Sequence, residues 1–424
     1  MDERFLQSVW QLRQWTADKM YTADGVAVEI LHPGIRNRAS GPDFSDARIK
    51  IGDILWAGDI ELHVRASDWH RHNHDTDSAY DHVILHVVAV DDTPIARPDG
   101  NIIPQIVLTP KPGLLDRYHD LIARADIDVA CQDTLRTLPS IIVTDWINAL
   151  ALDRLKDKAS RIDEVIRATQ GDWEEAAYRT LARALGFGTN ADPMERLAKS
   201  LPLKIIRKHA DSTLSVEALL FGQAGFLDGN TECPYHEALK TEYAFLAKKF
   251  GLTANAFALK TSGIRPANFP HRRLALLATI IANNPSICGK LLSINNIDSA
   301  RDFFAEPLSG WWSENYTFRP GEHPRQAKGD LTEASLQLLI INSVVPFALA
   351  YGLHHGDEHA VTKAIETLEQ LPAERNRIVS AFTYCGIRCT DALTSQALIH
   401  LRRKYCEQRK CLDCRFGFRA LTHK

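Results

Sequence analysis

The sequence predicts an α+β fold: an N-terminal mixed β-sheet domain followed by a large all-α domain. Three observations predict it. Before about residue 135, apolar residues recur in short strand-like runs. Turn-rich pieces such as Pro33-Gly34, Ser40-Gly41-Pro42 and Pro98-Asp99-Gly100 separate those runs. From Pro139 onward the hydrophobic period changes to that of a helix.

Phe5, Leu6, Val9 and Leu12 stand at helical spacing, so the chain opens on an amphipathic helix. Strands are predicted at Val26–Leu31, Ala47–Ile51, Ile54–Val64, Val83–Val90 and Ile102–Leu108. A long helix is predicted from Ile141 to Ala168, and helical segments continue to Leu401. Gly186-Phe187-Gly188, Pro202, Gly229-Asn230, Gly251, Pro266, Pro270 and Pro320-Gly321 break them apart. The expected division is an α/β domain over 1–135 and an all-α domain over 136–424.

The 424 residues are 45% hydrophobic and 24% charged, which excludes a disordered, collagen-like or disulfide-dense chain. The net charge of -3 excludes a basic field over the whole protein. The charge is uneven, however. Residues 1–135 hold 13 Lys+Arg against 22 Asp+Glu, so the remainder carries a basic excess. Such asymmetry suggests an acidic part that holds cations and a basic part that faces an anion. The charged start Met1-Asp2-Glu3-Arg4 has no apolar run behind it, so no signal peptide is read. Leu336–Leu353 is uncharged but contains Asn342, Ser343 and Pro346, and reads as a buried core helix, not a membrane span. Eight cysteines without an export signal read as reduced thiols in a cytoplasmic protein.

Most chemistry lies between Ser40 and Val88. In Asp59-Ile60-Glu61-Leu62-His63-Val64-Arg65, strand alternation puts Asp59, Glu61, His63 and Arg65 on one face. Six of the 17 histidines fall between 63 and 86: His63, His70, His72, His74, His82 and His86. His86 interrupts the apolar run VILHVV, and a buried imidazole there needs partners. Carboxylates with nearby nitrogen ligands can hold a divalent cation. Asp43 and Glu61 are the candidate acids, His63 their neighbour, and His70, His72 and His74 candidate ligands that converge if their loop is extended. Glu29 is a candidate third acid, and Lys50 or Arg65 a source of positive charge. Asp46, Asp53 and Asp81-His82 read as turn residues, and Asp68-Trp69 as a cap and core anchor.

Several blocks carry a resemblance: GPDFSDARI, WAGDIELHVRASDW, HRHNHD, YDHVILHVV, LLFGQAGFL, GIRPANFPHRRLALLA and YCEQRKCLDCRFG. In this order they resemble the bacterial domain of unknown function family 2851 over essentially the whole chain. That resemblance implies no activity. Over about 50 residues, Pro42-Asp43 followed by Glu61 also resembles the PD-(D/E)XK nucleases. This implies a restriction-endonuclease-like sheet with Mg²⁺ or Mn²⁺ held by Asp43 and Glu61. Where that pattern has Lys, this chain has His63.

In the helical part, Asn268 is the expected N-cap of a helix from Arg272 to Asn283, with Pro270 in its first turn. Arg265, His271, Arg272 and Arg273 near that N-terminus form a candidate anion site, together with Arg65 from the sheet. In the tail, Cys406-x4-Cys411-x2-Cys414 has metal-ligand spacing. Zn²⁺ and an iron–sulfur cluster both fit, with Cys389, Cys385 or His400 as the fourth ligand. From Ile399 to Lys424 there are eight Lys+Arg and two Asp+Glu.

The leading expectation is metal-dependent phosphodiester hydrolysis at Asp43, Glu61 and His63, on DNA or RNA gripped by a basic helical domain. The rival is a non-catalytic binding or scaffold protein whose histidine-rich sheet is structural. The departure at His63 favours the rival; the concentration of acids and histidines on one strand favours the enzyme.

Overall fold

Asp2 caps the first helix, α1 (Glu3–Gln11), by accepting from the Phe5 amide at 2.7 Å. This computed structural model describes residues 1–422 apart from 18, 38, 98, 125–128, 230, 255–256, 309 and 320–330. The expected turn and breaker positions Pro98, Asn230, Pro320 and Gly321 lie outside the described residues. The chain divides into two units. The first comprises Met1–Trp146, Ser380–Ile387 and His400–Lys424; the second comprises Ile147–Val379 and Arg388–Ile399.

The first unit holds the strands β1 (Met20–Tyr21), β2 (Ala27–His32), β3 (Ile35–Arg36), β4 (Phe44–Ile51), β5 (Ile54–Arg65), β6 (Val83–Val90) and β7 (Gln105–Val107). They form one mixed sheet in the order β1-β2-β4-β5-β6-β7, with β3 paired to β4. β2, β4 and β5 run as an antiparallel meander, whereas β5, β6 and β7 are parallel. Thr22, beside β1, bridges Ile106 of β7, so the two edges of the sheet nearly close on each other. α1 buries Phe5, Leu6, Val9 and Trp10 in the same core as Ile60 and Leu62 of β5. That assigns one face of β5 to the core and leaves Glu61 and His63 on the other.

Parallel pairing of β5 with β6 requires a crossover. Residues 66–82 supply it, including the short helix α2 (Asp68–Arg71) and two single turns of 3₁₀ helix. Gly58 marks where β6 approaches: a Cβ there would lie 2.5 Å from Ile84 Cγ2 and 2.8 Å from the His82 carbonyl oxygen. At the start of β4 the register shifts between Phe44 and Ala47, and Asp46 adopts φ 55°. Asp46 is therefore part of a bulge inside a strand, not of a turn between strands. The bulge changes the local twist just after Asp43.

Further helices of this unit are α3 (Leu114–Ala123), α4 (Gln132–Leu135) and the start of α5 (Ser140–Ala168). The last helix, Arg415–Thr422, packs against α3 and α4. The domain boundary thus differs from the expected 1–135 and 136–424. Residues 400–424 complete the core of the sheet-bearing unit, where Leu421 is buried.

The second unit is helical, as the change of period predicts. Among the described residues after 139, the sole extended pairing is the isolated bridge between Pro372 and Asp391. Among the described residues, the apolar segment Glu333–His355 has membrane-span length and hydropathy, and 67% of its most apolar window is buried inside the protein. A π-helical turn at Ile340–Val344 interrupts it. The unit's charge is balanced, with 28 Lys+Arg and 28 Asp+Glu. The expected basic helical domain is therefore corrected. The basic excess resides in the tail, and the tail belongs to the first unit.

Candidate metal centre

The register of the parallel strands places Glu61 beside His86 and His86 beside Gln105. His63 is two residues beyond Glu61 and shares its face. Both Glu61 (5% exposed) and His63 (1% exposed) are buried, because the crossover roofs this face. Trp69 of α2 packs against His63, His74 and His86, and Tyr80 stacks on His74 with ring centroids 3.7 Å apart.

Asp43 and Glu61 are joined through the backbone. The Asp43 amide donates to Glu61 Oε2 at 2.9 Å, and the Leu62 amide donates to Asp43 Oδ2 at 3.1 Å. Gln7 Nε2 donates to the other oxygen, Asp43 Oδ1, at 2.6 Å. Glu61 Oε1 then faces His74 Nε2 at 3.4 Å and His63 Nε2 at 3.6 Å. His72 Nδ1 lies 3.1 Å from His63 Nε2. His63, His72 and His74 each bring a donor atom within 4.8 Å of the other two. Ligand atoms about 2.0–2.1 Å from one tetrahedral ion stand roughly 3.3 Å from each other. The observed spacings fall around that value. His74 Nε2 is buried, 3.4 Å from Glu61 Oε1, and makes no hydrogen bond, as a nitrogen kept for a cation would be.

A chain of hydrogen bonds sets the tautomer of His63. Gln105 Nε2 donates to Asp91 Oδ1 at 2.5 Å and to the Thr93 carbonyl at 3.2 Å. Its Oε1 must therefore accept from His86 Nδ1 at 2.8 Å. His86 Nε2 is then the acceptor for His63 Nδ1–H, again at 2.8 Å. The unprotonated Nε2 of His63 points at Glu61 and His72. Such outer hydrogen bonds orient imidazole ligands in metal sites.

Burial dominates the electrostatics. It pushes the Glu61 carboxyl up to about 8, with the Glu3 carboxylate adding to the rise. Burial, then the nearby Glu61 charge, pushes Asp43 up to about 7. Burial, with His86, His74 and His72 nearby, drives His63 down to about 2. Without a cation, neutral imidazoles thus face carboxyls that hold their protons near neutral pH.

The structure brings Asp43, Glu61, His63, His72 and His74 together. It does not bring His70, which pairs with Asp75 at 2.8 Å and is 52% exposed in its side chain. The expected extended loop is also corrected. Asn73, between His72 and His74, adopts the left-handed φ 61°, and at this turn the exposed His72 and the half-buried His74 both pack against His63. Glu29 is exposed and pairs in register with Lys50, near the far end of β4, so it is no third acid. Lys50 pairs weakly with Asp53, and the exposed Arg65 lies 3.7 Å from Asp92. Glu3, Gln7 and Gln105 carry no motif. The available signal was the spacing of Glu3 and Gln7, one helical turn apart on α1.

In the second unit the expected anion site is corrected. The helix runs from Pro270 to Asn283 with Phe269 as its N-cap, while Asn268 accepts from Arg273 instead. Arg272 (3% exposed) donates to the carbonyls of Trp312 and Asn315, and Arg273 (4% exposed) lies over Phe187. His271 stacks on Phe226, and burial lowers it to about 4, so it is neutral. These side chains support the interior. Arg265 alone of the group is exposed.

A family model described as "Protein of unknown function (DUF2851)" matches residues 3–377, and the chain belongs to that family. The match ends before the tail cysteines, so it covers less than the expected whole chain. Neither curated proteins nor solved structures give a match.

Proposed function

We propose that the first unit of this DUF2851 chain is a metal-dependent hydrolase that cleaves phosphodiesters in DNA or RNA. One observation carries the reading: His63, His72 and His74 bring donor atoms within 4.8 Å of one another, and Glu61 Oε1 lies beside two of them, 3.6 Å from His63 Nε2 and 3.4 Å from His74 Nε2. The donor set is three imidazole nitrogens and one carboxylate. It suits Zn²⁺ or Mn²⁺ better than Mg²⁺, which prefers an oxygen shell.

A divalent cation held there would polarise a phosphoryl oxygen and offset the charge that develops on it. The chain's own residues supply the rest. The His86–Gln105 relay keeps the His63 lone pair on the site. Gln7 and the Leu62 amide hold both oxygens of Asp43. With its carboxyl near 7, Asp43 can take and return a proton at neutral pH. Trp69 and Tyr80 limit water around the buried acid.

The phosphodiester class rests on the order Pro42-Asp43 then Glu61, which here falls immediately before β4 and on its neighbour β5. It also rests on the basic tail within the same unit. His63 replaces the lysine of the nuclease pattern, and its neutral ring acts as a ligand, not as a cation. Purified protein should cleave single- or double-stranded DNA or RNA with Mn²⁺ or Zn²⁺, and Glu61→Gln and Asp43→Asn should each lower the rate at least 100-fold. Cation retention without cleavage of any of these substrates would favour the binding-protein rival.

A further inference from the structure

The tail cysteines meet a fourth cysteine from far along the chain. Cys131 immediately precedes α4, against which the last helix packs. Cys131 and Cys411 border the same apolar core. Cys131 lies in electrostatic range of Cys406, Cys411 and Cys414. Cys406 lies in range of Cys411 and Cys414, and Cys411 of Cys414. All six pairs among the four sulfurs therefore interact electrostatically. None is a disulfide, since all four are free thiols.

The backbone around them is shaped for this grouping. Cys406 ends a π-helical turn, and the Arg409 amide donates to its carbonyl at 3.0 Å. Cys411 starts a 3₁₀ turn that Cys414 closes, amide to carbonyl, at 3.3 Å. A Cβ on Gly417 would sit 2.2 Å from the Cys411 carbonyl oxygen, so only glycine lets the last helix approach this turn. The amides of Phe416 and Gly417 and the Trp146 side chain face the Cys414 sulfur. Trp146 is 7% exposed, and its indole N–H is buried without a partner meeting hydrogen-bond geometry. Burial raises the Cys414 thiol on balance, and donors placed beside a sulfur tune it once it is metal-bound.

We propose that Cys131, Cys406, Cys411 and Cys414 form one four-thiolate centre that takes an iron–sulfur cluster. The sequence spacing Cys406-x4-Cys411-x2-Cys414 with a distant fourth cysteine suits an iron–sulfur cluster. Sulfurs bound to one Zn²⁺ at about 2.3 Å stand roughly 3.8 Å apart. Among the described residues, no three of these sulfurs lie within 4.8 Å of one another, whereas His63, His72 and His74 meet that limit. A cluster of several irons sits between its cysteines and holds them further apart. The excess of Lys and Arg between Ile399 and Lys424 surrounds the centre in sequence, which suits a negatively charged metal–thiolate group. Of the expected fourth ligands, Cys389 belongs to the second unit and its sulfur faces the Asp391 carbonyl.

The test is the composition of the full chain purified without a tag under anaerobic conditions. Iron and acid-labile sulfide should appear together in equal amounts, about two or four each per chain, with a brown charge-transfer absorption. Cys131→Ser should lose at least half of that iron, as should Cys411→Ser. Cys385→Ser and Cys389→Ser should keep it. Zinc without sulfide, or no metal at all, would overturn the cluster. So would full iron in Cys131→Ser, which would remove Cys131 from the centre even if the tail cysteines bind metal.

Discussion

Arg36 Nη1 donates to Asp413 Oδ1 at 2.9 Å, tying β3 to the turn between Cys411 and Cys414. The other guanidinium nitrogen, Nη2, donates to Gln7 Oε1, also at 2.9 Å. Gln7 in turn holds Asp43. One side chain therefore connects the cysteine turn to the acid beside Glu61. Both partners are mostly buried, with side chains 15% and 16% exposed.

Arg36→Ala should leave Asp413 partly buried beside the more exposed Arg4 alone. The expected cost is about 2–3 kcal/mol in denaturant unfolding. The same variant should lower any cleavage rate by releasing Gln7. A double-mutant cycle with Asp413→Ala checks the origin: the two losses should be far from additive.

Gln105→Leu removes the acceptor that sets the His86 tautomer. His63 should then lose its fixed orientation, and divalent-cation affinity should fall about 10–100-fold. Calorimetric titration with Mn²⁺ measures this. Unchanged affinity would mean that the relay does not act on the centre.

Asn73 separates two effects at one position. Asn73→Gly should keep cation binding, because glycine enters the left-handed region freely. Asn73→Val should lose it, because a β-branched residue resists φ 61°. Equal affinity in both variants would detach the turn from the convergence of His72 and His74.

The pH dependence follows from the direction of the shifts. Glu61 and Asp43 ionise at higher pH in the folded chain than in the unfolded one. Below the unfolded values both states keep the proton and the fold bears no cost. As pH rises towards about 8, the folded chain must ionise buried groups, so cation-free protein should lose stability. His63 shifts downward, so its share of stability is present above the unfolded histidine value and is lost as pH falls below it. Thermal melts across this range should show a maximum on the acid side of neutral. Glu61→Gln should flatten the alkaline limb, and Mn²⁺ should raise it, since cation binding displaces the protons.

Val83–Val90 was legible as a strand to the residue, because a β-branched run bounded by turns admits few alternatives. Asp43, Glu61 and His63 were legible because strand period and motif order agree. His86 announced itself as a polar interruption in that run. Gln105 did not, since its role comes from register across two parallel strands. Cys131 was hidden by distance along the chain, and nothing local marks it. Arg272 and Arg273 looked like an exposed cluster because sequence does not reveal that the carbonyls of Trp312 and Asn315 cover one of them.

The central claim is a cation held by Glu61, His63, His72 and His74. Its most direct measurement is anomalous scattering from a crystal of the full chain soaked in Mn²⁺. A manganese peak should lie about 2.0–2.3 Å from Glu61 Oε1, His63 Nε2, His72 Nδ1 and His74 Nε2. The peak should be absent from a Glu61→Gln crystal treated in the same way. Density on the surface alone, or no peak among the three imidazoles of the wild type, would contradict the account.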